Sequence, residues 1–333
     1  MIIVTGGAGF IGSNIVKELN RQGRTDILIV DDLNNGKKEN QSYKNLRGLQ
    51  FWDYQHKDAF LENIQKDAFD GMDIDVIFHE GACSDTMQYD VNYMMDINYE
   101  YSKALLHFCV DHRIPFLYAS SASTYGSGKN GFREGDECED ALNPYAYSKL
   151  LFDRYVRQIM PEAKSQIVGL KYFNVYGPQE HHKGNMASIF YQLYNQVKAT
   201  DTCKLFEGYG TFNDGTPIEN GGHKRDFVYV KDVVKVNLWF WQNEGPSGIY
   251  NCGTGKAHTY NEVADSVIKA LGTGHIEYRD FPEVLKGKYQ NFTEADKTNL
   301  EAAGYDGGFY DMYDAVKEYC DFLDAGGYFT YGK

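Results

Sequence analysis

The sequence is short of positive charge: 33 Lys and Arg stand against 47 Asp and Glu, a net charge of −14. Nucleic-acid binding needs a basic face, so that partner class is excluded. Any anionic ligand must be met locally, by Lys, Arg and helix N-termini. No apolar run approaches the roughly 18 residues that a membrane span requires. No basic segment followed by an apolar stretch precedes the first strand, so no secretory signal is expected. No Cys-x-x-Cys pair occurs among the six cysteines, at 83, 109, 138, 203, 252 and 320. They read as the reduced thiols of a cytoplasmic protein, not as a disulfide framework. His181-His182 lacks a Cys, His or Asp partner at ligand spacing, so no metal is expected. Internal repeats and low-complexity tracts are also missing.

What is present is a globular chain of 333 residues, 42% hydrophobic and 15% aromatic. That is enough for a large core, or for two lobes sharing one sheet. Strand-like runs fall at Ile2–Thr5, Ile27–Asp31, Leu49–Trp52, Val76–Glu80, Phe116–Ser120 and Ile167–Phe173. Helical patterns alternate with them, as at Ile11–Arg21, Asn98–His112 and Tyr147–Met160. This alternation predicts an α/β fold with a Rossmann-like, doubly wound parallel sheet. Beyond Gly177-Pro178 the rhythm breaks, and residues 179–225 read as loop-rich. Strand-like Asp226–Val230 and Ile249–Asn251 are expected to rejoin the main sheet, with helices near 260–271 and 311–323. The expected division is a dinucleotide-binding domain of residues 1–173 plus about 226–256. A smaller, discontinuous α/β substrate domain takes about 174–225 plus 257–333.

The first strand runs into Gly6, Gly9 and Gly12, and Gly7 completes a second G-x-G-x-x-G reading. Glycines there permit a tight turn, close approach to a pyrophosphate and close packing of the next helix. The pyrophosphate then sits on the helix N-terminus. The strand before and the amphipathic helix after supply the context that a lone glycine pattern lacks. Asp31 follows Gly12 by 19 residues, at the end of the second strand, where a ribose is bound. Lys37 and Lys38, after Asn34-Asn35-Gly36, could neutralise a 2′-phosphate. Spacing alone leaves NAD and NADP both open. Asp53 or Lys57 could border the adenine.

Tyr145 and Lys149 share a helical face at i and i+4. A free phenol has a pKa near 10, too high for a base at neutral pH. A nearby ammonium and a positive nicotinamide would both favour the phenolate. Ser121, 24 residues upstream at the end of a strand-like run, offers a hydroxyl for a substrate oxygen. Tyr147 lacks the i+4 lysine. Arg225 reads either as an ion pair with Asp226 or as a planar clamp for a diphosphate. His79 reads as a structural hydrogen-bonder.

With these motifs the chain resembles the extended short-chain dehydrogenase/reductases, the group of nucleotide-sugar epimerases and dehydratases. The glycine loop, Ser120-Ser-Ala-Ser-Thr-Tyr-Gly126, Tyr145-x-x-x-Lys149 and Tyr172-Phe-Asn-Val-Tyr-Gly-Pro178 carry that resemblance. Within the group it is most similar to the ADP-L-glycero-D-manno-heptose 6-epimerase family. That closer likeness rests on His79-Glu-Gly-Ala-Cys-Ser84, Tyr93-Met-Met-Asp96, His182-Lys-Gly184, Met186-Ala-Ser188, Leu205-Phe-Glu-Gly208, Lys224-Arg-Asp-Phe-Val-Tyr-Val230 and Leu285-Lys-Gly287.

The resemblance implies epimerisation at C6″ of an ADP-heptose for the lipopolysaccharide inner core, by transient oxidation to a ketone. It implies bound NADP in a cytoplasmic homo-oligomer, plausibly a pentamer. Phe10 and Ile11 join the phosphate loop, and Asp31, Asp32, Lys38 and Lys57 the adenosine end. Glu80, Gly81, Ala82, Cys83 and Ser84 run beside the cofactor, with Asn98 or its neighbour Ile97. Val175 contacts the nicotinamide. Tyr145 and Lys183 are the two acid/base groups, Lys183 also touching the cofactor, with Ser121 and Lys149 in support. Asn174, Phe206, Glu207, Gly208, Tyr209, Arg225 and Tyr289 bind the ADP-sugar. Asn185 and Gln192 stand at substrate positions where the family has serine and histidine. Asp32 replaces an asparagine, and the 209–223 loop is longer than usual. A 4,6-dehydratase needs an Asp-Glu pair after the strand-end hydroxyl, where this chain has Ala122-Ser123. A UDP-hexose 4-epimerase stays open. A non-catalytic cofactor sensor would not need Ser121, Tyr145 and Lys149.

Overall fold

The computed structural model describes residues 1–34, 41–287 and 289–331. Its strands are β1 (Ile2–Thr5), β2 (Ile27–Asp31), β3 (Asp53–His56), β4 (Val76–His79), β5 (Phe116–Ser121), β6 (Ile167–Tyr172), β7 (Asn174–Tyr176), β8 (Thr202–Phe206), β9 (Lys224–Tyr229), β10 (Gly248–Cys252), β11 (Ala257–Thr259) and β12 (His275–Arg279). Its helices are α1 (Phe10–Arg21), α2 (Lys57–Gln65), α3 (Val91–Met95), α4 (Tyr101–His112), α5 (Pro144–Ile159), α6 (Ile189–Thr200), α7 (Val230–Gln242), α8 (Tyr260–Leu271), α9 (Thr298–Ala302) and α10 (Met312–Asp324).

The main sheet runs β3-β2-β1-β4-β5-β6-β10, with every pairing parallel. Helices cover both faces, so β1, β4 and β6 are buried along their whole length and are mainly apolar, with His79 and Lys171 as buried exceptions. The strand order reverses between β1 and β4. That switch point opens a crevice at the strand C-termini, where ligands bind in folds of this kind. The expected doubly wound sheet is therefore present.

Three local expectations are corrected. The third strand is Asp53–His56 rather than Leu49–Trp52. Leu49 is instead a core residue of the approach to it. Asp226–Val230 does not rejoin the main sheet: β9 pairs with β7 in parallel and with β11 antiparallel, in a separate three-stranded sheet. Only β10 returns, beside β6. Residues 179–225 are loop-rich at 207–223, as expected, but they also contain α6 and β8. Ser188 caps α6 through the Tyr191 amide, and Phe190, Leu193, Tyr194 and Val197 form its buried face. β8 pairs in parallel with β12.

Helix α5 begins three residues earlier than expected. Asn143 accepts from the Ala146 amide, and Pro144, whose missing N–H costs nothing there, takes the first helical position. Tyr145 thus sits in the first turn, next to the cavity.

Candidate active site

One cavity of about 1050 Å3 opens along the C-terminal ends of β1, β2, β4, β5 and β6 and the start of β7. At its floor the glycine loop turns from β1 into α1. Gly6 has a φ of +64°, and a Cβ on it would lie 2.7 Å from the Gly81 nitrogen. A Cβ on Gly12 would lie 2.2 Å from the Gly6 carbonyl oxygen. No side chain caps the start of α1, which leaves its amide donors to a ligand anion. These residues fit a dinucleotide pyrophosphate. Asp31 clamps the loop: its carboxylate accepts from the Ala8 amide at 2.8 Å and the Asp32 amide at 2.7 Å. Burial pushes the Asp31 carboxyl up against those hydrogen bonds.

The cavity wall brings together Gly6, Gly9, Phe10, Ile11, Gly12, Asp31, Asp32, Lys57, Glu80, Gly81, Ala82, Cys83, Ser84, Ile97, Ser121, Tyr145, Lys149, Asn174, Val175, Lys183, Asn185, Gln192, Phe206 and Tyr289. Lys38 lies outside the described residues. Asp53 is exposed on the edge strand, away from this wall. Asn98 stands behind it, in a wide π-type turn before α4. It accepts from the Cys83 amide at 2.8 Å and donates to the Cys83 carbonyl at 3.0 Å, so it holds a wall residue in place. Of the pair offered, Ile97 is the one that faces the cavity.

Tyr145 and Ser121 both face the cavity, and Ser123 donates to the Ser121 hydroxyl at 2.8 Å. Burial raises the Tyr145 pKa, and the Ser121 contact offsets part of this. The expected lowering by Lys149 is not what this geometry gives. The Lys149 ammonium donates to the Ala119 carbonyl at 2.7 Å, and burial lowers its pKa to about 8. Tyr147 is exposed and is not in the cavity wall, whereas Tyr145 is.

Glu80 accepts from the Tyr172 hydroxyl at 2.8 Å, and its second oxygen is buried without a partner. Burial pushes its carboxyl up to about 7.

Lys183 enters from a tight turn, His181–Met186, with Nζ 5.1 Å from the Phe10 ring centroid. Burial lowers its pKa, and nearby Glu180 works the other way. The turn is tied down on three sides. Asn45 contacts His182 at 3.2 Å and donates to the Ala8 carbonyl of the glycine loop at 3.0 Å. Glu180 accepts from Ser188 and from Tyr319 of α10. The Tyr328 ring stacks on His181 at 4.6 Å, so the Tyr-rich C-terminus packs behind this turn.

Beneath the site lies a buried ionic cluster. Lys171 of β6 meets Asp153 at 2.6 Å and Glu139 at 3.0 Å, and Arg157 grips Glu139 with two nitrogens. Asp153 also accepts from Tyr118 and Ser120 of β5. This cluster fastens α5, which carries Tyr145 and Lys149, to the strand that carries Ser121. His79 is the structural hydrogen-bonder expected, bridging Thr5 at 2.7 Å and Ser102 at 2.8 Å.

At the far end, Glu207, Gly208, Tyr209 and Arg225 are not in the wall itself. Arg225 is buried with its guanidinium 4.9 Å from the Tyr289 ring centroid, directly behind that wall residue. It does not pair with Asp226, whose carboxylate takes the Thr254, Gly255 and Ala295 amides. Sequence reasoning missed Lys204, His223, Tyr260 and Arg279, which line this end. Alternation in Thr202–Phe206 marks Lys204 as an outward residue; nothing local marks Arg279.

Comparison with known proteins agrees with this geometry. The model of the NAD dependent epimerase/dehydratase family matches residues 2–253. Among solved structures, the Helicobacter pylori ADP-L-glycero-D-manno-heptose-6-epimerase is 29% identical, with a TM-score of 0.81 over 97% of this chain and 96% of that one. The Thermus thermophilus UDP-glucose 4-epimerase, in complex with NAD, is 25% identical, with a TM-score of 0.75 over 97% and 98%. The Thermotoga maritima UDP-glucose 4-epimerase, with UDP-glucose, shares the fold at 23% identity and a TM-score of 0.77 over 98% and 99%.

Proposed function

The chain belongs to the NAD dependent epimerase/dehydratase family, and from that premise we propose that it is an ADP-heptose 6-epimerase. It inverts C6″ of ADP-D-glycero-D-manno-heptose with NADP as hydride carrier, for the lipopolysaccharide inner core. The observation that carries this reading is that two basic or acidic side chains, Tyr145 and Lys183, reach one cavity from different elements. Epimerisation through a ketone needs a proton moved at each of two faces, and one group suits each sugar orientation.

When bound, the nicotinamide would take a hydride from the carbinol carbon and return it to the opposite face. The chain's own residues do the rest. Tyr145 takes the hydroxyl proton in one orientation, and Ser121 holds the same oxygen. Lys183, whose ammonium gives up its proton more readily because it is buried, returns a proton to the ketone oxygen in the other orientation. Lys149 holds the nicotinamide ribose. Asn174, Asn185 and Gln192 contact the sugar. Arg225 supports the diphosphate end through Tyr289. A dehydratase is disfavoured because Ala122 is buried and Ser123 is engaged with Ser121 where an acid/base pair is needed. Overall likeness to the Helicobacter pylori enzyme supports the choice of sugar.

The test is proton NMR of ADP-D-glycero-D-manno-heptose with the purified protein. The L-glycero epimer should appear without added reductant. No conversion, with NADP and with NAD supplied in turn, would refute the assignment. Lys183→Met should keep dinucleotide binding and lose epimerisation by at least about a hundredfold. Wild-type turnover in that variant would remove Lys183 from the mechanism.

A further inference from the structure

The turn that carries Lys183 is closed on itself by one carboxylate. Glu180 stands at its start, Ser188 at its end, and Glu180 is fully buried. Its Oε1 accepts from the Ser188 hydroxyl at 2.7 Å, the Tyr319 hydroxyl at 2.8 Å and the Gly177 amide at 3.2 Å. Its Oε2 accepts from the Ser188 amide. The Ser188 hydroxyl accepts in turn from the Tyr191 amide and so caps α6. One side chain thus ties both ends of the turn to each other, to the exit of β7 and to α10. Four donors fill the lone pairs of the two oxygens, as a buried carboxylate requires.

Between the tied ends the chain is held less firmly. The Lys183 amide donates to the Glu180 carbonyl at 3.0 Å, and the Ala187 amide to the Gly184 carbonyl at 3.1 Å. Gly184, next to Lys183, has a φ of +54° and open space around it. The Lys183 ammonium lies over the Phe10 ring. A cation–π contact of this kind is weak and does not by itself fix a four-carbon side chain.

We propose that Glu180 is a positioning residue: by closing this turn it places the Lys183 ammonium at the cavity wall for proton transfer. This rests on the reading of Lys183 as the second acid/base group. Of the other titratable groups around the turn, His181 and His182 lie on it, Tyr191 on α6, Tyr319 on α10, Lys44 before β3 and Tyr328 beyond α10. Burial lowers both imidazoles and raises the Tyr319 phenol, so none of these three carries charge near pH 7. Lys44 sits 6.0 Å from the Tyr328 ring centroid. Glu180 therefore supplies the negative charge, which opposes the lowering of the Lys183 pKa by burial.

The test compares Glu180→Gln and Tyr319→Phe with wild type, each saturated with its nicotinamide dinucleotide. Epimerisation of ADP-D-glycero-D-manno-heptose gives kcat and KM. Competitive acetylation of Lys183 against pH, read by mass spectrometry, gives its titration midpoint without any substrate. A glutamine has one acceptor oxygen and cannot hold both ends, so kcat should fall about ten- to a hundredfold, with KM and dinucleotide affinity within about twofold. The Lys183 midpoint should move to lower pH, because the opposing charge is gone. Tyr319→Phe keeps the charge and loses one donor, so kcat should fall about fivefold with the midpoint unmoved. Wild-type kcat in Glu180→Gln overturns the assignment. A joint loss of kcat, KM, dinucleotide affinity and melting temperature also overturns it, because Glu180 then supports the whole wall. If Glu180→Gln does not fold, Tyr319→Phe decides, and wild-type kcat there overturns the assignment. Wild-type turnover in Lys183→Met, or none in the native chain, would refute the reading of the site instead; the acetylation midpoint then decides for Glu180, and an unmoved midpoint overturns its role.

Discussion

Replacing Lys171 with Met should weaken the fold directly beneath Ser121, Tyr145 and Lys149. Met keeps most of the side-chain volume and removes the ammonium from a site with no solvent exposure. Three contacts go: Asp153 at 2.6 Å, Thr124 at 2.8 Å and Glu139 at 3.0 Å. Removing one partner of a buried ion pair costs about 3–5 kcal/mol, because the other charge is left uncompensated. Here the survivors are partly served. Glu139 keeps both Arg157 nitrogens, at 2.9 and 2.6 Å. Asp153 keeps the Tyr118 and Ser120 hydroxyls, at 2.9 and 2.6 Å. The expected loss is therefore the low end, about 3 kcal/mol. Equilibrium urea unfolding is the assay. With a slope of about 3 kcal/mol per molar for a chain of this size, the midpoint should fall by about 1 M. Adding Asp153→Asn should recover part of the loss, since a neutral amide needs no counter-charge. A shift below about 0.2 M in Lys171→Met would refute the reasoning, as would a double variant weaker than the single one.

Two further outcomes follow from the same geometry. Arg157 and Lys171 outweigh burial and hold the Glu139 carboxyl at about 2, below its ordinary 4.5. Its contribution, on the order of 3 kcal/mol, is thus complete above pH 4.5 and lost as the pH falls toward 2; melting temperature against pH should show that decline, and Arg157→Ala should flatten it. Gly12→Ala places a methyl 2.2 Å from the Gly6 carbonyl oxygen, so dinucleotide affinity by fluorescence titration should drop at least tenfold; near-normal affinity would argue against the tight loop.

The strands that fill the core were legible because burial on both faces leaves continuous apolar runs. Ile2–Thr5 and Ile27–Asp31 stand where the sequence places them. The edge strand was not, because Asp53-Tyr-Gln-His is polar and pairs on one side only, while the apolar residues just before it form the approach. Helix α6 was legible in principle from the spacing of Phe190, Leu193, Tyr194 and Val197, but its intervening Gln and Asn residues hid the stripe. The pairing of β9 with β7 depends on contacts between segments about 50 residues apart, which no local pattern encodes. At the site, the glycine loop and Tyr145-x-x-x-Lys149 announce themselves because their chemistry fixes a spacing. His223 and Arg279 do not, since each reaches the cavity through tertiary folding alone. The pKa directions were also hidden, because they turn on burial rather than on neighbours in sequence.

The parallel pairing of β7 with β9 sets Asn174 opposite Phe227. Arg225 lies two residues earlier on the same strand, about 7 Å along it. The residue proposed to meet the reacting sugar and the one proposed to steady the diphosphate thus hang from one short hydrogen-bonded ladder. Such a ladder works as a gauge of substrate length. Loops at either end can drift and change which base or which sugar is accepted. The span between the anchored anion and the reacting carbon cannot drift with them, so substitutions that alter specificity should accumulate at the ends of this gauge and not within it.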